Sequence, residues 1–70
     1  MTHVPTPDAR FSDHGSIILM TPLSQAAKDW IKEHLPQEVI WFGDAIAIEP
    51  RYAGDIFDGL IADGLTLSIA

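Results

Sequence analysis

The chain has 70 residues, is 47% apolar, and sets ten acidic side chains against four basic ones, for a net charge of −6. That length allows one domain, and the apolar share is too high for a disordered chain. No apolar run approaches the ~20 residues of a membrane span. With no cysteine, disulfides and thiolate metal sites are excluded, so stability has to come from helix–sheet packing or association.

Nucleic-acid binding normally rests on a basic patch that neutralises phosphates. The four cations, Arg10, Lys28, Lys32 and Arg51, are scattered, so no nucleic-acid partner is expected. The opening M-T-H-V-P-T-P-D-A-R lacks the basic start and apolar stretch of a secretory signal. A cytoplasmic protein with no membrane association is the expectation.

Residues 1–14 hold two prolines and no periodic apolar pattern, and so read as a flexible leader before a single domain over 15–70. His3, Asp8, Asp13 and His14 lie in this leader without the i, i+4 spacing of a helical ligand pair, which makes them a hydrated tail rather than a metal site. After Gly15, S-I-I-L-M is a short buried strand by its branched content.

Thr21-Pro22-Leu23-Ser24 leads into a helix, with Ser24 as the N-cap whose oxygen accepts from the first free amides. At 100° per residue, Leu23, Ala26, Ala27, Trp30, Ile31, His34 and Leu35 share one half of the circumference. Pro36 ends the helix. His34 falls inside the apolar arc; with no nucleophile motif beside it, a rim histidine favoured by the C-terminal helix dipole is the plainer reading.

Val39–Glu49 then reads V-I-W-F, Gly-Asp, A-I-A-I-E, two apolar runs around a two-residue type II′ turn with glycine first. That register puts Val39, Trp41, Ile46 and Ile48 on one face and Ile40, Phe42, Ala45 and Ala47 on the other. A three-residue turn would exchange the two sets. Neither face is polar.

Pro50 starts a second helix at a position where its missing N–H costs nothing. Tyr52, Ala53, Ile56, Phe57, Leu60 and Ile61 form its apolar half, and Gly64 suits a left-handed C-terminal cap. Gly54 and Gly59 fall on the polar half, as tolerated surface glycines or as points of close approach by a neighbouring chain. L-T-L-S-I-A closes the chain with the alternation of a half-buried strand.

The order strand–helix–strand–strand–helix–strand predicts a ferredoxin-like βαββαβ fold of class α+β, a four-stranded antiparallel sheet with two helices on one face. The other face stays open. Its apolar residues make a candidate interaction surface of Ile40, Phe42, Ala45 and Ala47, together with Arg51 and Tyr52, because contiguous exposed apolar patches usually mark interfaces. Arg51 sits in a helix's first turn, where its charge opposes the dipole. An i, i+4 pair with Asp55 would explain it, and so would contact with a partner carboxylate.

The segments P-L-S-Q-A-A-K-D-W (22–30), E-P-R-Y (49–52) and D-G-L (63–65) resemble a group of small uncharacterised bacterial proteins, over residues 16 to about 66. The resemblance implies no activity. The strand order is also similar to that of heavy-metal-associated domains, which bind metal through Cys-x-x-Cys after the first strand. Thr21-Pro22-Leu23-Ser24 offers no ligand at that place.

No phosphate-cradling glycine run and no nucleophile elbow is present. Asp55 and Asp58 lie on a solvated helix face, and with Asp63 they match no calcium loop. No catalytic residue, metal or cofactor is therefore expected. The reading is a small non-catalytic interaction module that associates with itself or another protein through the open sheet face. The alternative is a small-molecule binder or minor enzyme using a cleft near His34, Arg51 and Tyr52.

Overall fold

A computed structural model of the chain describes residues 6–36 and 38–69. His3 lies outside them. The elements are β1 (Ala9–Asp13), β2 (Ile18–Pro22), α1 (Gln25–His34), β3 (Trp41–Phe42), β4 (Ala45–Ile48), α2 (Pro50–Ala62) and β5 (Leu67–Ile69). No described helix is long and apolar enough to cross a membrane.

The fold is α+β, but the sheet is five-stranded and mixed, in the order β3-β4-β2-β1-β5. Without β1, the remaining order is the one a ferredoxin-like sheet would have. The extra strand comes from the segment expected to be a leader. β1 pairs antiparallel with β2 and parallel with β5, so it separates the two strands that a βαββαβ fold would set side by side.

The physical reason is the alternation of A-R-F-S-D. Ala9 and Phe11 are buried while Arg10 is exposed, which is the period-2 pattern of a strand with one face on the core. Two prolines shortly before it conceal that pattern at the sequence level. A tight turn returns the chain into β2: the His14 N–H donates to the Ile17 carbonyl at 2.9 Å, and the Gly15 N–H to the Asp13 carboxylate at 2.8 Å. Gly15 takes φ +83° there. Pro22 is thereby the last residue of β2, where its missing N–H is harmless because β4 reaches only as far as Met20.

Both helices contribute to a single core. Ala27, Trp30 and Ile31 of α1 and Ala53, Ile56 and Leu60 of α2 cluster with Phe11, Met20, Ile46 and Ile48 of the sheet. The register puts these sheet residues on one face: Phe11 opposes Met20, and Met20 opposes Ile46. Phe57 completes the cluster edge-on to Phe11, with ring centroids 4.3 Å apart.

The caps follow the sequence. Ser24 accepts from the Ala27 amide at 3.1 Å, and Leu35 takes an extended conformation before Pro36. At the end of α2 the Gly64 N–H bonds to the Ile61 carbonyl and the Leu65 N–H to the Leu60 carbonyl, with Gly64 at φ +83°. That is the Schellman motif.

Gly59 is the point of close approach, but to the chain's own Trp30. A Cβ on Gly59 would stand 2.9 Å from the Trp30 Cζ2, whereas one on Gly54 would meet nothing within 4 Å.

Candidate functional site

The hairpin takes the two-residue turn. Trp41 opposes Ile46 and Phe42 opposes Ala45, and the Ala47 N–H donates to the Ile40 carbonyl at 2.9 Å. Gly43 has φ +61° and, among the described residues, no non-glycine residue has positive φ, as a type II′ turn requires. Trp41, Ile46 and Ile48 therefore face the helices, and Ile40, Phe42, Ala45 and Ala47 face away.

Phe42 is 58% exposed and Ile40 63%. Across the sheet this apolar character continues through Ala47 and Leu19, which oppose each other. It stops at Ser12, Arg10 and Ser68, the outward residues of β1 and β5. The inserted strand thus makes one half of the open face polar and confines the apolar patch to the β3–β4–β2 half. Ala45 adds little to it, being only 9% exposed.

Arg51 and Tyr52 do not join this patch. α2 packs on the opposite face of the sheet, so its first turn lies in the helix layer. Arg51 does not pair with Asp55; its Nε donates to the Glu49 carboxylate at 2.8 Å, and its guanidinium lies 4.8 Å from the Tyr52 ring centroid. Both partners of that ion pair are mostly exposed, which keeps it weak.

Tyr52 instead borders a groove of about 500 Å³ with Leu35, Pro36, Val39, Ile48 and Ile56. His34 belongs elsewhere. Its ring stacks on Trp30 at 4.3 Å, its Nδ1 lies 3.0 Å from the Trp30 carbonyl, and its Nε2 is 3.7 Å from the Asp63 carboxylate. Trp30 Nε1 donates to the same carboxylate at 2.6 Å. Asp63 caps the far end of α2, about 16 Å along the axis from Tyr52 by helical rise. The cleft of His34, Arg51 and Tyr52 expected from the sequence is therefore not assembled, because the His34 ring is held against Trp30 and Asp63, at the end of α2 opposite Tyr52.

The chain matches no protein-family model, no curated protein and no solved structure.

Two acidic residues have structural roles that their sequence neighbourhoods do not signal. Asp63 ties the two helices through Trp30. Asp8 joins three elements: its carboxylate accepts from the Thr66 amide at 2.8 Å and the Thr66 hydroxyl at 3.2 Å, while its carbonyl accepts from the Leu23 amide at 2.7 Å. The Ser24 hydroxyl, then the Thr66 amide and hydroxyl, hold the Asp8 carboxyl below its usual range. Among the described residues no group of three or more His, Asp or Glu is placed to hold a metal ion.

The edge of the sheet is the remaining feature of the site. β3 is an outer strand, and Trp41, although on the helix side, is 49% exposed. The helices leave about half of it uncovered. A cleft of about 310 Å³ lies between Trp41 and the end of β2, lined by Thr21, Pro22, Leu23, Lys28, Trp41, Gly43 and Asp44.

Proposed function

We propose that this protein is a small non-catalytic interaction module that associates, with a second copy or another protein, through the apolar half of its open sheet face. The observation that carries this reading is the exposure of Ile40 and Phe42 side by side on the face that both helices leave uncovered. Two large apolar side chains more than half exposed on neighbouring outward positions cost solubility unless a partner covers them.

Sedimentation at micromolar concentration tests the idea, alongside crosslinking at the hairpin in a cell extract. Association that Phe42→Ser abolishes without lowering the melting temperature is the expected result. A strict monomer that retains nothing from the extract would sink the reading.

The groove beside Tyr52 favours a second reading, a binder of a small apolar ligand. Its volume is in the range of ligand pockets. A metabolite-shift screen in which Tyr52→Ala removes the hits supports it; hits unaffected by that change count against it.

A further inference from the structure

We infer that the β3 edge takes up an extended segment of another protein, apolar at its centre and cationic at both ends, as an additional strand of the sheet. The inference rests on the interaction-module reading and names the class of partner.

Antiparallel pairing decides which groups are available. The bond from the Ala47 amide to the Ile40 carbonyl makes Ile40 a hydrogen-bonded position, so alternation points the N–H and C=O of Trp41 away from β4. An incoming residue placed opposite Trp41 can bond to both. Its side chain then lies on the helix side, against the exposed ring of Trp41. The next residues on either side lie on the open face against Ile40 and Phe42.

All three positions of the edge are therefore apolar on whichever face they project, and all three are exposed. An outer strand that solvent keeps bare is normally blunted by charge or proline. This one carries neither between Ile40 and Phe42. Main-chain bonding with alternating side-chain pockets is how strand addition recognises a peptide.

Charge selects the partner. The edge is flanked by Glu38 and Asp44, both exposed, and the chain has a net charge of −6. Lys28 is the nearby cation, and it sits in the helix-side cleft rather than at an end of the edge. A second copy of this chain is a poor occupant. Two-fold pairing of Trp41 with its counterpart sets Glu38 of one copy against Asp44 of the other, twice over, and like charges directly opposed destabilise a strand pair. A segment with lysine or arginine at each end meets the same two carboxylates favourably.

The experiment is calorimetric titration of the full chain with the peptide Lys-Thr-Val-Ile-Val-Thr-Lys and its relatives. Binding should weaken about tenfold or more when glutamate replaces both lysines. N-methylation of the central isoleucine, which removes a bond to Trp41, should weaken it about tenfold, and N-methylation of a neighbouring valine should not. The double variant Glu38→Lys/Asp44→Lys should prefer the glutamate peptide.

Equal binding of the two peptides, or indifference to the central methyl group, would overturn the proposal. If Phe42→Ser still abolished association in those cases, the open-face reading would survive alone. A chain that binds no peptide also overturns it, whether it remains monomeric or forms a dimer that Phe42→Ser disrupts; the dimer would make a second copy the occupant of the face.

Discussion

Replacing Gly59 and Gly54 one at a time by alanine separates packing from helix propensity within α2. Alanine in a helix interior is favoured over glycine by about 0.5–1 kcal/mol. At Gly54 nothing lies within 4 Å of the new methyl group, so the whole gain should appear. At Gly59 the methyl would stand 2.9 Å from the Trp30 Cζ2 and 3.5 Å from its Cη2.

The indole cannot swing aside freely. Its Nε1 is held by Asp63 at 2.6 Å, His34 is stacked on it, and the residue is buried in the core. Overpacking of this kind costs about 1–3 kcal/mol, which exceeds the propensity gain. Gly59→Ala should lose about 1 kcal/mol net while Gly54→Ala gains up to about 1. For a domain of this size about 1 kcal/mol moves the melting temperature by roughly 4–8 °C. Thermal and urea unfolding followed by circular dichroism would show the two variants on opposite sides of the parent. If Gly59→Ala stabilised as much as Gly54→Ala, the close approach of Trp30 would not limit the site and the reasoning would be refuted.

Two further outcomes test the inserted strand. Phe11→Ala should cost about 3–5 kcal/mol, most of the stability of a domain this small; a urea midpoint close to the parent's would mean that β1 is the loose leader its sequence suggests. The Asp8 carboxyl is held below its usual value of 3.8 in the folded state, so its contribution is complete above that value and is lost as pH falls through the lower folded value. The gap in urea midpoint between the parent and Asp8→Asn should stay level near neutrality and close below pH 3.8. A gap that persists to strongly acidic pH would show that the contribution of Asp8 does not depend on its charge.

The sequence by itself determined the local structure. Ser24, Pro36, Pro50 and Gly64 sit where helix ends need an oxygen acceptor, a break in the ladder, a residue without an N–H, and a left-handed backbone. Glycine-first spacing selected the hairpin turn, and that turn set which of Trp41 and Phe42 faces the helices. These features depend on a few neighbouring residues, so their signals are short.

The tertiary structure decided what long-range pairing controls. A strand of five residues with one arginine and two polar side chains is ambiguous until β2 and β5 are present to flank it, and the order of the sheet followed from that one insertion. Asp8 gained its bonds to Thr66, Gly59 its contact with Trp30, and His34 its place beside Asp63 only when distant segments met. The candidate surface was redrawn for the same reason. Helices on one face removed Arg51 and Tyr52 from it, the polar outer residues of β1 and β5 trimmed its far side, and the position of β3 at the edge left Trp41 exposed although it lies on the helix side.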